Sequence, residues 1–437
     1  MSSQNAAQAS TDAAATEGSK KDLYEVGEIP PLGHVPKNMY AWSIRAERHG
    51  NPEDAMQVEV LPTWELDSHD VLVFVMAAGV NYNGVWASLG TPISPITDVH
   101  KNPFHIAGSD ASGIVWAVGS KVKRWKVGDE VVIHCNQDDG DDEECNGGDP
   151  MFSTSQRIWG YETPDGSFSQ FCRVQDRQLM PRPQHLTWEE AACYTLTLAT
   201  AYRMLFGHRP HTLKPAQNVL VWGASGGLGS FAVQLCATMG ANAIGVVSED
   251  DKIDFVKQLG AKGVLNRRDF KCWGQLPEVN TPEYKEWFGE VRKFGKAIWD
   301  ITGKGNNVDM VFEHPGEATF PVSTFVCKRG GMVVICAGTT GYNLTMDARY
   351  VWMHQKRVQG SHFAHLQQAS NANKLVIDRR IDPCMSEVFP WEQIPKAHKR
   401  MQHNEHKPGN MAVLVSAPTT GLRTFEDVLE ASKARFS

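Results

Sequence analysis

The sequence predicts an α/β chain in which a β-rich first half is followed by a doubly wound parallel sheet. From residue 218, strand-like and helix-like segments alternate, which favours a parallel sheet with helices on both faces. With 437 residues, the chain is long enough for two or three domains. The first half instead contains short apolar or alternating runs bounded by Gly and Asp, which is the pattern of strands: VLVFVMAAGV, ASGIVWAVG and VGDEVVIHC.

The beginning of the chain is small and polar, and we interpret residues 1–22 as a disordered tail. It lacks the apolar centre of a signal peptide and the arginines of a transit peptide. The net charge of -7 and the lack of a long Lys/Arg run argue against a nucleic-acid partner. No apolar stretch approaches the ~20 residues that span a bilayer. The nine scattered cysteines fit a cytoplasmic protein with free thiols.

Two segments close the β-rich half. The acidic, Gly-rich run DDGDDEECNGGDP (138–150) predicts a surface loop. The segment TWEEAACYTLTLATAYRMLF then has helical periodicity, with Thr187 as the expected N-cap and acidic residues in the first turn. We therefore expect this segment, between the β-rich half and the parallel sheet, to be helical.

The second half alternates strands and helices. The predicted strands are NVLVWG, ANAIGVVS, VDMVFEHPG and GGMVVICAG, and the predicted helices are GGLGSFAVQLCATMG, DDKIDFVKQLG and TFPVSTFVCK. Residues 268–300 are longer than a plain connection, which indicates an insertion with its own helix. After about residue 363 the pattern is mixed again, and the chain ends in a polar helix, TFEDVLEASKARF.

The segment NVLVWGASGGLGS carries the clearest ligand-binding motif. A strand enters a glycine-rich turn and a helix follows, so the backbone can approach a pyrophosphate and the helix N-terminus offers free N–H groups. The strand, the helix and the further βα units together favour a Rossmann dinucleotide site over a turn without a ligand. The candidate cofactor-binding residues of the loop are Gly223, Ala224, Ser225, Gly226, Gly227 and Leu228.

The end of the second strand indicates which dinucleotide binds. NAD sites usually place an acid there for the ribose 2′-hydroxyl, whereas this chain has Ser248, with Lys252 close behind. Arg267, after the next strand, could add a bidentate contact to a 2′-phosphate. Glu249 and Asp250 argue for NAD unless they point to solvent. The pattern favours NADPH.

The order of a β-rich half, a Rossmann unit and a returning tail resembles the medium-chain dehydrogenase/reductase superfamily. Two strings carry the resemblance: GSDASGIVWAVGSKVKRWKVGDEVV and TLATAYRML. The resemblance implies a GroES-like catalytic domain formed by residues 23–205 and 363–437. It implies an NADPH-binding Rossmann domain at residues 206–362, interrupted by the insertion at 268–300.

The zinc ligands of that superfamily are replaced in this chain. Zinc members carry Gly-His-Glu where this sequence has Gly-Ser-Asp at 108–110, and a cysteine where it has Asn81 or a neighbour. The structural zinc lobe needs four closely spaced cysteines, and only Cys135 and Cys145 occur there. The resemblance is therefore to the zinc-free quinone and enoyl reductases, and we expect no metal.

More specific strings are similar to the enoyl-CoA carboxylase/reductase family over residues 23–420, and the insertion is part of the match. The family resemblance implies that NADPH reduces crotonyl-CoA at the β-carbon and that the enolate attacks CO₂ at the α-carbon, giving ethylmalonyl-CoA. Butyryl-CoA is the implied side product, and neither biotin nor a metal takes part. A cytoplasmic homotetramer is expected. The strings are RIWGYET, VFEHPG, RYVWMHQKRVQGSHFA and FGKAIWDITG.

The family resemblance also implies a CO₂ pocket. Asn81 would donate its amide to CO₂, Tyr161 would form a wall, Glu162 would hold a water or orient a histidine, and His362 would donate to the other oxygen. His365 is the alternative to His362. Taken singly, each has a structural interpretation, since Asn is common in turns where it tolerates a left-handed conformation. Only their joint occurrence with the flanking strings favours function.

At the CoA end, the resemblance implies roles for Arg349, Tyr350 and Lys296, because a cation and an aromatic ring suit phosphate and adenine. Lys296 could instead contact a neighbouring subunit, and each could be an ordinary exposed residue. Two alternative functions remain. One is a plain NADPH-dependent enoyl-thioester or quinone reductase, and the other is an NADPH-binding protein without catalysis.

Overall fold

The structure is a computed structural model, and it describes residues 20–436. The predicted tail at 1–22 thus lies outside the described residues except for its last three positions. Of these, Lys21 pairs with Glu28 at 2.5 Å and Asp22 pairs with Lys37 at 2.9 Å. No helix in the described range is long and apolar enough to cross a membrane.

The described residues form two main sheets and two small ones. The strands are β1 (Asn38–Ile44), β2 (Gln57–Pro62), β3 (Asp70–Val80), β4 (His105–Ile106), β5 (Ala111–Val118), β6 (Glu130–Ile133), β7 (Asn136–Gln137), β8 (Arg157–Ile158), β9 (Phe171–Gln175), β10 (Leu179–Pro181), β11 (Asn218–Val221), β12 (Asn242–Val247), β13 (Gly263–Asn266), β14 (Val308–Glu313), β15 (Cys327–Ile335), β16 (Arg357–Gly360), β17 (Met385–Phe389) and β18 (Asn410–Leu414).

Helices connect and cover these sheets. They are α1 (Pro52–Ala55), α2 (Tyr82–Leu89), α3 (Trp188–Ala192), α4 (Thr195–Phe206), α5 (Gly227–Thr238), α6 (Ile253–Gln258), α7 (Pro282–Thr302), α8 (Phe320–Val326), α9 (Ala348–Trp352), α10 (Leu366–Ile377), α11 (Ile394–Gln402) and α12 (Phe425–Phe436).

The first main sheet joins the two ends of the chain. Its strand order is β10-β6-β5-β3-β18-β17, and β9 also pairs with β3. β3 is buried along nearly its whole length, because strands, helices and the returning β18 cover it. Its Phe74 ring lies 4.8 Å from Trp116 and 4.9 Å from Phe171, measured between centroids. The apolar run that predicted this strand thus forms the centre of the first core.

The second main sheet is parallel throughout, with strand order β13-β12-β11-β14-β15-β16. This is the doubly wound order in which the chain starts in the middle and proceeds first to one edge and then to the other. Ligands of such sheets bind where the order reverses, outside the carboxyl ends of the strands. Here that point lies between β11 and β14. The predicted combination of a β-rich part and a Rossmann sheet is confirmed.

The segment after Thr187 is helical, as expected, but it forms two helices, α3 and α4. Thr187 caps α3 through two hydrogen bonds. Its Oγ1 accepts from the Glu190 amide at 3.3 Å, and the Glu190 carboxylate accepts from the Thr187 amide at 2.8 Å. The helical segment is interrupted at Cys193 and Tyr194, and the Leu196 amide, in the first turn of α4, donates to the buried carboxylate of Asp110 at 2.6 Å. A side chain from the β-rich sequence thus contacts the first turn of α4.

Two helices outside the predicted Rossmann boundaries pack on the second sheet. Leu198 of α4 and Ala369 of α10 belong to the same buried apolar cluster as Val219 and Phe231. We propose that the dinucleotide-binding unit includes both helices, extending beyond residues 206 and 362. The returning strands β17 and β18 remain with the first sheet.

The insertion at 268–300 contributes α7, the 21-residue helix. Thr281 caps it through the amide of Tyr284 at 3.2 Å, and Pro282 occupies its first turn. Its buried residues include Trp287 and Phe294, and the Phe294 ring stacks on Trp222 with centroids 5.8 Å apart. The insertion therefore covers one face of the parallel sheet.

Candidate active site

A cleft of about 450 Å³ lies at the point where the strand order of the parallel sheet reverses. The glycine-rich loop after β11 forms one wall, and Asn81, at the end of β3, belongs to another. The segment between α11 and β18 also contributes, through Asn404 and Pro408. The cleft therefore lies between the two sheets, as a site needs when one part holds a cofactor and the other holds a substrate.

The glycines of the loop bring the backbone close to the cleft. Gly223 has a φ of +53°, and a Cβ at Gly229 would lie 2.2 Å from the Gly223 oxygen, so the turn and the first turn of α5 pack too closely for a side chain. Gly226 is the N-cap of α5 and offers no capping side chain, and Gly227 and Leu228, which begin the helix, line the cleft. This cradle fits a dinucleotide pyrophosphate.

Five of the six predicted loop residues line the cleft, and Ala224 does not. Ala224 is fully buried, and its amide donates to the Val246 oxygen at 3.0 Å. Its contribution is to hold the loop against β12. Of the others, Ser225 accepts a hydrogen bond from Gly409, which ties the loop to the segment before β18.

The far end of the cleft carries the residues predicted for a 2′-phosphate. Ser248, Lys252 and Arg267 all line it. The two acids that argued for NAD are occupied elsewhere: Glu249 pairs with Arg268 at 3.0 Å, and Asp250 accepts from the Asn266 side chain at 2.8 Å. Among the described residues, neither acid lines the cleft. A hydroxyl and two cations are the chemistry that holds a phosphate monoester.

Asn81 does not have the conformation of a turn asparagine. Its φ is -128°, which is extended, and its side chain does not cap α2, although it occupies the N-cap position. Instead its Nδ2 donates to Asp110 Oδ2 at 2.9 Å. The amide is thus held by a carboxylate at the wall of the cleft.

Asp110 is the functional candidate that sequence reasoning missed. It is fully buried, and burial raises the pKa of its carboxyl to about 7, against the hydrogen bonds of Thr195, Asn81 and Leu196. The available signal was its place in Gly-Ser-Asp, where zinc enzymes carry a glutamate. Within residues 20–436, no three His, Cys, Asp or Glu side chains gather as a metal site requires.

Tyr161 and Glu162 form a second group. The Tyr161 hydroxyl donates to the Ile93 oxygen at 2.9 Å, and burial, with the Glu162 charge, raises the pKa of Tyr161 to about 12. The Glu162 carboxylate accepts from the Ile158 amide at 2.8 Å, while burial raises its pKa. Tyr161 is therefore a neutral wall, and Glu162 fastens the turn that carries it.

His362 lies in an irregular segment before α10. It is exposed, its ring meets Phe363 edge-on at 4.8 Å, and Phe363 has a φ of +44°. Desolvation and the Arg203 charge lower the pKa of His362. His365, the alternative, is half-buried at the N-cap of α10, and its pKa is also lowered by desolvation. Both imidazoles are thus neutral at pH 7.

Backbone contacts bring the two predicted groups near each other. The His134 ring donates to the Ala364 oxygen at 2.7 Å, and the neighbouring Cys135 oxygen accepts from the Trp159 amide at 2.7 Å. Residues 157–163 and 362–365 therefore flank the same stretch. In the described chain, however, Tyr161, Glu162 and His362 do not line the dinucleotide cleft, and Asn81 is the pocket candidate that does.

The candidates for the CoA end lie elsewhere. Lys296 and Tyr350 line a separate cavity of about 990 Å³, at the amino ends of β11, β14 and β15. Arg349 is not part of its lining, because its guanidinium pairs with Asp347 at 2.7 Å. The cavity is rich in cations, and its further basic residues are Arg292, Lys293, Lys328, Arg329 and His354. The separate cavity thus opens at the amino ends of the parallel strands, whereas the dinucleotide cleft opens at their carboxyl ends.

Glu313 and His314 end β14 beside the glycine loop. His314 lines the cleft, and its Nε2 donates to the Trp222 oxygen at 2.9 Å. Glu313 is fully buried and accepts hydrogen bonds from Thr319 Oγ1 at 2.8 Å and from the amide of Gly316 at 3.1 Å. These contacts fix the backbone beside the cleft, which agrees with a role in shaping it.

Comparisons with known proteins place this geometry in a family. Residues 67–184 match the alcohol dehydrogenase GroES-like domain, and residues 227–378 match the zinc-binding dehydrogenase family. The crotonyl-CoA carboxylase/reductase of Cereibacter sphaeroides is 78% identical over 423 residues, which is 97% of this chain and 98% of that protein.

Solved structures agree. A crotonyl-CoA carboxylase/reductase is 76% identical, with a TM-score of 0.92 over 94% of this chain and 96% of the other. The 2-octenoyl-CoA carboxylase reductase CinF, solved with NADP and 2-octenoyl-CoA, is 36% identical, with a TM-score of 0.83 over 92% and 93% of the two chains. The chain therefore belongs to the crotonyl-CoA carboxylase/reductase family, within the medium-chain dehydrogenase/reductase superfamily.

Proposed function

We propose that this chain catalyses the NADPH-dependent reductive carboxylation of crotonyl-CoA to ethylmalonyl-CoA. Hydride reaches the β-carbon, the resulting enolate attacks CO₂ at the α-carbon, and protonation of the enolate gives butyryl-CoA as the side product. The observation that carries the proposal is the amide of Asn81, fixed by Asp110 on the wall of the dinucleotide cleft. The family membership supports the same reaction.

NADPH, when bound, supplies the hydride. The N-terminus of α5, at Gly227 and Leu228, would hold its pyrophosphate, and Ser248, Lys252 and Arg267 would hold its 2′-phosphate. His314 and the loop fix the backbone around the reacting end. Holding two reactants in one orientation is a major source of catalysis in such sites.

Asn81 has a donor left for CO₂. Its Nδ2 carries two hydrogens, of which Asp110 takes one. The second can bond a CO₂ oxygen, and this bond strengthens as that oxygen gains charge in the forming carboxylate. Asn81 therefore stabilises the carboxylation transition state more than bound CO₂.

Tyr161, Glu162 and His362 would keep water away from the enolate. The Tyr161 hydroxyl donates its proton to the Ile93 oxygen at 2.9 Å, so that proton is engaged there and is not offered to the enolate. Glu162 fastens this wall through Ile158. His362 is the proposed second donor to CO₂, and bound substrate would cover its exposed ring.

We propose that this chain forms a homotetramer. In it, the cation-rich cavity of Lys296 and Tyr350 binds the phosphate and adenine end of the CoA whose thioester lies in the active site of a neighbouring copy. Within one chain, this cavity and the glycine loop lie at opposite ends of β11. The strand has four residues and is about 13 Å long. Arg349 would join after exchanging Asp347 for phosphate. All nine cysteines are free, which supports action in the cytoplasm.

Product identity tests the proposal. NADPH oxidation with crotonyl-CoA should give ethylmalonyl-CoA when CO₂ is saturating and butyryl-CoA when CO₂ is removed. Butyryl-CoA as the main product under both conditions would make the chain a plain enoyl-thioester reductase. NADPH binding without turnover of any enoyl-CoA would make it a non-catalytic binding protein.

A further inference from the structure

Asp110 is buried at the end of the first sheet, and its carboxylate is joined to the wall of the cleft by the hydrogen bond from Asn81. Its side chain is fully buried, and it does not line the cleft. We propose that Asp110 is a positioning residue that orients the Asn81 amide toward CO₂ and so sets the ratio of carboxylation to reduction. This inference rests on the CO₂ role proposed above for Asn81.

The carboxylate of Asp110 has a fixed orientation. Its Oδ1 accepts from the Leu196 amide at 2.6 Å and from the Thr195 hydroxyl, so that oxygen is tied to the N-terminus of α4. Its Oδ2 then faces Asn81. A Cβ on Gly79 would lie 2.8 Å from Asp110 Cβ and 2.7 Å from the Ala192 oxygen, so the glycine leaves the space that the aspartate occupies.

This fixed carboxylate determines whether the NH₂ group or the oxygen of the Asn81 amide faces Asp110. An ionised carboxylate only accepts hydrogen bonds, so it selects the NH₂ end of the amide. That end then keeps its second hydrogen for CO₂. If the amide flipped, its oxygen would face the oxygens of CO₂ and would repel the forming carboxylate. Asp110 therefore gives Asn81 the donor orientation that carboxylation needs and that hydride transfer does not.

Among the titratable groups in this region, the protonation state of Asp110 determines the orientation of the Asn81 amide, because its neighbours are neutral. Cys135, Cys193 and Tyr194 lie near enough to be affected by its charge, and burial raises the pKa of each well above its usual value, so all three are neutral at pH 7. Asp110 itself has a pKa of about 7. A protonated Asp110 can donate to the Asn81 oxygen and so allow the flipped amide.

The test is the ratio of ethylmalonyl-CoA to butyryl-CoA at saturating CO₂. Asp110→Asn presents an amide that can donate to the Asn81 oxygen, so we expect the ratio to fall about tenfold, the value of one charge-assisted hydrogen bond. NADPH oxidation by crotonyl-CoA without CO₂ should change less than about twofold. Adding Asp110→Asn to Asn81→Leu should not lower the ratio further, because the two residues act as one unit.

A matched control separates positioning from stability. Glu189 is another buried acid of the β-rich part, where its carboxylate accepts from the Gly421 amide at 2.7 Å, and it does not line the cleft. Glu189→Gln should lower the thermal midpoint and leave the product ratio at the parent value. A ratio that falls equally in both variants would overturn the inference, since it would then report general loosening.

Thr195→Val provides a second variant in case Asp110→Asn does not fold. It removes one anchor of Asp110 Oδ1, so the ratio should fall several-fold, and Thr195→Ser should restore it. A parent-like ratio in Asp110→Asn or in Thr195→Val, beside a lowered ratio in Asn81→Leu, would overturn the role of Asp110 and leave that of Asn81 intact. A parent-like ratio in Asn81→Leu would remove the CO₂ role itself.

Discussion

Replacing Asn81 by leucine should shift the enzyme from carboxylation toward reduction. The two side chains are similar in size, so the cleft wall keeps its shape, but the donor to CO₂ is lost. The hydride-transferring end of the cleft, formed by the glycine loop and His314, is unchanged. The same intermediate enolate therefore forms, and only its fate differs.

The magnitude follows from the hydrogen bond that is removed. In the transition state the Asn81 amide donates to an oxygen that is becoming a carboxylate, and a hydrogen bond to a charged group is worth about 1.5–3 kcal/mol. Since about 1.4 kcal/mol is tenfold, the ratio of ethylmalonyl-CoA to butyryl-CoA should fall about 10- to 150-fold. Asp110 also loses a donor, so its carboxyl pKa should rise further above about 7.

The assay separates the two CoA esters by chromatography after complete oxidation of limiting NADPH at saturating CO₂. Asn83→Leu is the matched control, because it makes the same change two residues along the chain at a position that does not line the cleft. It should keep the parent ratio. A parent ratio in Asn81→Leu, or an equal fall in both variants, would rule out the Asn81 amide as a donor to CO₂.

Three further predictions concern cofactor, wall and pH. Arg267→Ala should raise the Kd for NADPH about tenfold and leave the Kd for NADH nearly unchanged, because only NADPH has the 2′-phosphate. Titration with each cofactor measures both values, and an equal change in the two Kd values would contradict the 2′-phosphate role of Arg267. Glu162→Ala frees the Ile158 amide and loosens the wall, so the butyryl-CoA share should rise; equal product ratios in variant and parent would count against it. Burial raises the pKa of Glu313 from 4.5 to about 7. The protonated carboxyl therefore stabilises the folded state, fully so below pH 4.5, and this stabilisation is lost as the pH rises through about 7. Glu313→Gln should therefore show a smaller fall in thermal midpoint between about pH 5 and pH 8 than the parent; an unchanged fall would refute that assignment.

Local patterns were sufficient for most of the fold. The strand, glycine loop and helix around Gly223 are contiguous in sequence, and each depends on neighbours a few residues away. Burial of β3 on both faces explains why its apolar run is continuous. The contact between the first turn of α4 and Asp110 could not be predicted in this way, because Asp110 lies more than eighty residues earlier.

The candidate site shows the same limit. The contact between Asn81 and Asp110 arises because β3 and β5 pair antiparallel up to Ala78 and Ala111, which leaves the two polar side chains together where the pairing ends. No local pattern contains that register. The position of Lys296 at the opposite sheet edge from the glycine loop likewise depends on how the insertion folds back across the sheet.

Double labelling follows the hydride and CO₂ into the product in a single experiment. The parent protein would turn over crotonyl-CoA with NADPH deuterated at the transferred position and with ¹³C-labelled bicarbonate. Reductive carboxylation predicts one main product, ethylmalonyl-CoA, with deuterium on the β-carbon and ¹³C in the new carboxylate, equimolar with the NADPH consumed. Butyryl-CoA with deuterium and without ¹³C, as the main product at saturating CO₂, would contradict it.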